Sequence, residues 1–123
     1  MNIEQKIIKA FGLSSDIVVS DDFIEKNDDL MWLEREIDYL IYVPSYMLWC
    51  VRHKEYKGNI VCDRTISALA EFGRCKKSDI AHLNFKDLCN ERQKSVVSEF
   101  LSWALVHLKL CNEDTIIRSL KYW

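Results

Sequence analysis

The sequence predicts an all-α fold, a compact bundle of five or six helices forming one domain over residues 1–123. Three observations predict it. The chain has only three Gly and one Pro, too few for the many tight turns of a β fold. Apolar residues recur at helical spacing in several segments. A length of 123 residues with 49% hydrophobic content suits a single core.

The first segment carries the signals of a capped amphipathic helix. Asn2 and Gln5 match a capping box, in which each side chain bonds to the backbone N–H of the other residue. Apolar residues then follow at helical spacing, so we predict a helix over about Ile3–Phe11 that ends at Gly12. The connector that follows contains Ile17–Val19, which we expect to be extended.

The next two predicted helices are separated by the single proline. Asp28 and Asp29 precede an amphipathic stripe that predicts a helix up to about residue 41. Its apolar positions are Leu30, Leu33, Ile37, Leu40 and Ile41. Pro44 lacks a backbone N–H, so we expect it to end this helix and to open the next one, over about Ser45–Lys54. That next helix is apolar around most of its circumference, which predicts a central position.

The middle of the chain predicts a turn, an extended piece and a helix. Lys57–Asn59 contains a glycine and is the clearest turn signal in the sequence. Ile60–Cys62 is expected to be extended, after which Asp63 caps a helix that Gly73 ends. A basic loop follows it, and Asp79–Cys89 predicts a short helix or turn.

The strongest helical pattern lies near the C-terminus. Asn90 and Gln93 repeat the capping-box signature. The apolar positions that follow are Val96, Val97, Phe100, Leu101, Ala104, Leu105 and Leu108. Trp103 and Val106 lie off this stripe, so we expect the helix to be buried on two sides. Asn112 then caps a last predicted helix.

Composition bears on the compartment and on the class of partner. Five cysteines, an odd number without paired spacing, predict reduced thiols rather than a disulfide framework. No apolar run reaches the roughly 20 residues that span a bilayer, and the first residues lack a secretory layout. The net charge of −2 argues against a dedicated nucleic-acid binder. We therefore expect a cytoplasmic protein with no membrane or nucleic-acid partner, and the oligomeric state stays open.

The acidic residues are concentrated in one segment. Residues 16–38 hold nine acids against Lys26 and Arg35, a local balance of −7 in a chain whose total is −2. Such a face can steer a basic partner, the alternative being a solvated surface. Trp32 lies within it, either as an interface anchor or as a partly buried core residue. The candidate partner-binding residues are Asp21, Asp22, Glu25, Asp28, Asp29 and Trp32.

The residues that carry chemistry form no recognisable site in the sequence. Cys50 and His53 share a helix face but lack the further ligands of a structural zinc site, so we expect no metal. The glycines are isolated, and no glycine-framed nucleophile turn is present. We therefore expect no catalytic residue and no cofactor. The enzyme alternative requires a pocket that contains His53, His82 or a cysteine with a strongly shifted pKa.

Three short segments carry a family resemblance. Ile7–Phe11 resembles the opening helix, Tyr39–Leu48 the Tyr-rich LPAYL-like segment, and Phe85–Leu101 the C-terminal signature of a family of small, uncharacterised bacterial helical proteins. Val43 and Ser45 replace the family's usual Leu and Ala. The resemblance implies a helical fold and no established activity, so it carries over no catalytic residue.

The chain is also similar in kind to the immunity proteins of bacterial contact-dependent growth inhibition systems. These are small, cytoplasmic and often locally acidic, and many of the toxin domains they inhibit are nucleases with basic clefts. We therefore expect an immunity protein that binds and neutralises a cognate toxin, a nuclease domain, through its acidic face. The alternative is a non-enzymatic regulatory or adaptor protein that binds another host or phage protein.

Overall fold

The computed structural model describes residues 1–34, 36–55, 60–76, 79–108 and 111–123. Within these ranges the chain is helical and contains no strand, which confirms the predicted all-α class. The seven α-helices of the described part are α1 (Ile3–Phe11), α2 (Asp21–Lys26), α3 (Tyr39–Arg52), α4 (Ile60–Arg74), α5 (Phe85–Leu88), α6 (Glu91–His107) and α7 (Glu113–Leu120). Two 3-10 turns, Leu30–Trp32 and Ala81–Leu83, lie in the connections.

The ends of α1 and α6 follow the capping signals in the sequence. Asn2 Oδ1 accepts from the Gln5 N–H at 2.9 Å, and Gln5 Oε1 accepts from the Asn2 N–H at 3.4 Å. Asn90 and Gln93 make the same reciprocal pair at the start of α6, with both bonds at 2.8 Å. Gly12 ends α1 in the left-handed conformation, with φ 63°. These three predictions are confirmed.

The apolar helix α3 lies at the centre of the bundle, as predicted. Its residues 43–50 are all buried. Helix α1 packs against α3 and α6, α4 packs against α3 and α7, and α6 packs against α7. The largest buried side chains of the core they form include Tyr46, Phe72, Phe85 and Phe100. Within the described ranges, no helix is long and apolar enough to cross a membrane.

Pro44 does not separate two helices, so this prediction is wrong. Helix α3 runs through it and is buried on both sides of it. Proline removes only the bond to the carbonyl of Leu40, and burial of the surrounding side chains outweighs that loss. The hydroxyl of Ser45 donates to the Ile41 carbonyl at 2.7 Å and accepts from the Val19 N–H at 3.1 Å. The bond from Val19 ties α3 to the connector that precedes α2.

Residues 30–38 do not form the predicted helix. Only Leu30–Trp32 makes a 3-10 turn, and α3 begins after Asp38. Asp29 Oδ1 accepts from the Met31 N–H at 3.0 Å, and Asp38 Oδ1 accepts from the Leu40 N–H at 3.1 Å. Aspartates that bond the backbone two residues on compete with the helical pattern. Leu33 and Ile37 of the apolar stripe are therefore partly buried against the core, although they do not lie in a helix.

Two further boundaries differ from the sequence pattern. Helix α4 begins at Ile60, so Ile60–Cys62 is helical rather than extended, because Val61 and Cys62 are buried in the bundle. Ile17–Val19 lies at a turn and bend rather than in a strand. The predicted turn Lys57–Asn59 lies outside the described residues, as do residues 77 and 78 of the basic loop.

Gly73 lies inside α4 instead of ending it. It is buried where the C-terminal residues cross the helix, and a Cβ there would lie 2.7 Å from Trp123 Nε1 and 2.7 Å from Tyr122 Cβ. The indole N–H of Trp123 donates to the Leu69 carbonyl at 2.8 Å. The glycine is therefore required for this close approach rather than for a turn.

The C-terminal end of α6 is open on one face. Val106 is 61% exposed and Leu105 is also exposed, so the predicted burial on two sides is wrong at these positions. Trp103 is half-buried and stacks on Phe100, with ring centroids 6.0 Å apart. A sequence pattern shows which face is apolar, but it does not show whether another element covers that face.

Candidate functional site

The acidic segment, residues 16–38, connects α1 to α3 by way of α2 and the first 3-10 turn. Helix α2 begins at Asp21 after Ser20, whose hydroxyl accepts from the Phe23 N–H at 3.2 Å. Asp21 and Asp22 occupy its first turn, where negative charge suits the positive end of the helix dipole. The segment therefore has defined local structure, and each predicted site residue has a definite position.

Two of the predicted carboxylates, Asp21 and Glu25, contact the C-terminal end of α3. The indole N–H of Trp49 donates to Glu25 Oε2 at 3.3 Å, and Asp21 Oδ2 lies 3.5 Å from His53 Nε2. The His53 ring stacks on Trp49 with centroids 4.3 Å apart. Its Nδ1 lies 2.9 Å from the Trp49 carbonyl. Both neighbours of the ring are hydrogen-bond acceptors, and together they fix its orientation.

Two others, Asp28 and Asp29, contact α4. Asp28 Oδ1 accepts a hydrogen bond from the Arg64 guanidinium, and Asp29 Oδ2 lies 4.0 Å from Arg64 Nε. The phenol of Tyr46 donates to the Asn27 carbonyl at 2.5 Å, just before this pair. Burial, with the nearby charge of Asp28, raises the pKa of Tyr46 well above its usual value. These contacts fix residues 27–29 against α3 and α4.

Although Asp21 and Glu25 are exposed as well, Asp22 differs from the other four predicted carboxylates because its partner lies in its own helix. Its side chain is 77% exposed and pairs with Lys26 of the same helix at 3.2 Å. An exposed pair of this kind contributes little to stability, so Asp22 is free to change partner. Glu34 and Glu36, which belong to the acidic segment but are not among the predicted site residues, are also exposed.

Trp32 is the most exposed large apolar side chain in the described part of the chain, at 86%. It lies on the 3-10 turn whose first residue, Leu30, is buried in the core. A groove of about 300 Å³ opens beside its indole. The residues that line it are Phe23, Asn27, Trp32, Leu33, Glu34, Ile37 and Tyr42.

Sequence reasoning misses most of this groove. Phe23 and Tyr42 meet edge to face at 5.8 Å, and Leu33 and Ile37 are half-buried beside the core. The sequence pattern assigns Leu33 and Ile37 to the buried stripe of a helix, and no local signal places Tyr42 opposite Phe23. The structure brings Trp32 to the groove, and it directs four of the five predicted carboxylates toward other elements.

The described residues show no arrangement for metal binding. No group of three His, Cys, Asp or Glu side chains among them has the geometry of a metal site. His53 lies 2.9 Å from the Trp49 carbonyl and 3.5 Å from Asp21, whereas Cys50 is fully buried in the core. Cys50 and His53 therefore lie in different surroundings.

Comparison of the chain with protein-family models, with curated proteins and with solved structures gave no match. The resemblance to small bacterial helical proteins and the likeness to immunity proteins therefore stay predictions.

Proposed function

We propose that this chain is an immunity protein, which binds and neutralises a toxin domain with a basic surface. The observation that carries the proposal is the exposed indole of Trp32 beside a groove of mixed polar and apolar lining, within a segment rich in carboxylates. A tryptophan that leaves most of its surface in water gains free energy when a partner covers it, since burial removes apolar area from water. Tryptophan is accordingly frequent among the residues that dominate binding energy.

The charges around the groove support a basic partner. Glu34 lines the groove itself, while Asp22 and Glu36 are exposed next to Phe23 and Ile37 in the sequence. Carboxylates at the rim of an interface speed association with a positively charged surface. The active-site cleft of a nuclease toxin, which binds phosphates, presents such a surface.

The candidate residues then divide into two roles. Asp21, Glu25, Asp28 and Asp29 add to the negative potential but mainly hold the segment against α3 and α4. Trp32 contacts the partner directly, with Asp22 and the glutamates at the rim. All five cysteines are free thiols, in keeping with the reducing cytoplasm in which an immunity protein acts.

The test is copurification of the tagged chain with the product of the adjacent upstream gene, followed by calorimetry at low and moderate salt. We expect a stoichiometric complex that weakens as salt rises. Trp32→Ala is expected to cost at least about 2 kcal/mol of binding, roughly 30-fold in affinity. Val106→Ala, which shortens an exposed apolar side chain on α6, is the matched control and is expected to change affinity little.

A second variant tests the charge contribution. Asp22→Asn is expected to slow association and to reduce its salt dependence. Glu91→Gln is the control, since Glu91 is also highly exposed and pairs with Lys94 of its own helix. A complex that Trp32→Ala and Val106→Ala weaken equally would contradict the proposed interface. A stable complex with a protein that has no toxic activity would favour the adaptor alternative.

A further inference from the structure

Three aromatic side chains line the groove beside Trp32. Phe23 of α2 and Tyr42 of α3 are half-buried and meet edge to face with ring centroids 5.8 Å apart, so packing fixes their position. Trp32 is the third aromatic residue of the lining and is exposed. The faces of aromatic rings carry partial negative charge. Several rings around one space therefore attract a cation as well as an apolar group.

Two polar residues of the same groove supply hydrogen-bond acceptors. Glu34 is exposed, and it has no ion-pair partner among the residues that the structure describes. The side-chain nitrogen of Asn27 donates to the Phe23 carbonyl at 2.9 Å, and the side-chain oxygen of Asn27 is an acceptor. A ligand that complements these groups carries positive charge and hydrogen-bond donors.

We propose that this groove binds the guanidinium group of an arginine side chain from the protein partner. The guanidinium is planar, so it stacks on the Trp32 indole and at the same time donates to the Glu34 carboxylate. The ammonium group of lysine is more strongly hydrated and lacks the planar fork of donors. The groove volume of about 300 Å³ lies at the lower limit of small-ligand sites, which suits one side chain.

The inference rests on the proposed function in one respect, namely that the arginine belongs to the basic surface of the toxin. Tryptophan and arginine are both frequent among the residues that dominate binding energy, and such residues tend to pair across an interface. The exposed carboxylates of residues 16–38 attract any basic surface, since that segment has a local balance of −7. The groove adds a preference for one kind of cation over another.

The first test uses a small-molecule probe and needs no toxin. The isotope-labelled full chain is titrated with N-acetylarginine amide at constant low ionic strength, and NMR follows the indole N–H signals of the four tryptophans. Trp32→Phe identifies the Trp32 signal by its loss. We expect this signal to shift until it saturates. The signal of Trp49, which is buried and bonds to Glu25, is expected not to shift.

A matched probe and a matched variant isolate the charge. N-acetylcitrulline amide has the planar shape of the arginine probe without its charge, and we expect it to bind about fivefold more weakly. Glu34→Gln is expected to weaken binding of the arginine probe about threefold. Glu36→Gln is the control variant, because Glu36 is exposed in the same segment but is not among the residues that line the groove. It is expected to change the affinity little.

Several outcomes would overturn the proposal. A Trp32 signal that the arginine probe does not shift, or that the citrulline probe shifts with equal affinity, would mean that the groove does not recognise the guanidinium charge. N-acetyllysine amide binding as tightly as the arginine probe would mean that any cation suffices. Equal weakening by Glu34→Gln and Glu36→Gln would mean that the net charge of the segment acts, rather than the carboxylate in the groove.

The result also separates this inference from the proposed function. If the toxin complex forms but the arginine probe is not preferred, the inference fails and the proposed function stands. If the arginine probe is preferred at Trp32 but the upstream gene product does not copurify, the proposed function fails and the guanidinium site stands.

Discussion

The acidic segment, residues 16–38, and the contact between α4 and α7 are held in place by different interactions. The segment is attached to the bundle largely through polar contacts, including Glu25 with Trp49 and Asp28 with Arg64. Helices α4 and α7 are joined by close packing of buried apolar side chains such as Ile66 and Ile116. Close packing tolerates no added atom, whereas polar contacts at a surface weaken with salt.

This difference has a consequence for binding. Because Glu25 and Asp28 hold the acidic segment against α3 and α4, the segment can leave Trp32 exposed without losing its position. The contact between α4 and α7 buries apolar side chains such as Ile66 and Ile116, which therefore contribute to folding rather than to binding. Substitutions in the two regions are therefore expected to separate binding from stability.

The largest effect on stability is expected at Gly73. Gly73→Ala places a methyl group 2.7 Å from Trp123 Nε1, so the C-terminal residues must move and the bond from Trp123 to Leu69 is lost or strained. We expect a loss of about 2–4 kcal/mol in the free energy of unfolding, measured by urea denaturation. Gly12→Ala is the control.

Gly12→Ala is expected to destabilise the protein for a different reason than Gly73→Ala. Gly12 has φ 63°, and a methyl group added there would have nothing within 4 Å, so alanine costs only the strain of the left-handed conformation, about 1 kcal/mol. If Gly73→Ala destabilises the protein no more than Gly12→Ala, close packing of the C-terminus against α4 is not what holds it.

A smaller, salt-dependent effect is expected at Arg64. Arg64→Gln removes the charge that holds Asp28 and Asp29 against α4, and we expect a loss of roughly 1–2 kcal/mol at low salt. Arg74→Gln is the control, since Arg74 pairs with Glu71 of its own helix at 2.5 Å. That local pair on the exposed surface of one helix contributes little to stability. Equal losses at low and high salt would contradict polar anchoring of the acidic segment.

The sequence predicts some parts of the fold better than others. Helices α1 and α6 are predicted well, because caps such as Asn2 and Asn90 and a helical period are local features. Helix α3 continues through Pro44 because the side chains around it are buried in the bundle, which no local pattern reveals. Tertiary contacts override propensity at such positions.

The same limit applies to the candidate site. The charge of the acidic segment can be counted from the sequence, and the exposed position of Trp32 is one of the two alternatives that the sequence leaves open. Which carboxylates contact the bundle depends on Trp49, His53 and Arg64, which lie on α3 and α4 or at the end of α3, outside the segment. A pattern within residues 16–38 therefore cannot separate the acids that contact other elements from Asp22, which pairs within its own helix.

The smallest expected effect on stability comes from replacing two buried serines by alanine, one on α7 and one on α3. The two substitutions are expected to change the free energy of unfolding in opposite directions. Ser119 on α7 and Ser45 on α3 are both buried, but the Ser119 hydroxyl has no hydrogen-bond partner among the described residues, whereas Ser45 bonds to Ile41 and Val19. Ser119→Ala removes an unsatisfied polar group and is expected to raise the free energy of unfolding by about 0.5 kcal/mol. Ser45→Ala leaves the Val19 N–H without its acceptor and is expected to lower the free energy of unfolding by about 1 kcal/mol.

Urea denaturation of both variants measures the difference. Equal destabilisation would mean that the Ser119 hydroxyl has a partner, such as a buried water, and that the contact between α4 and α7 also depends on polar bonds.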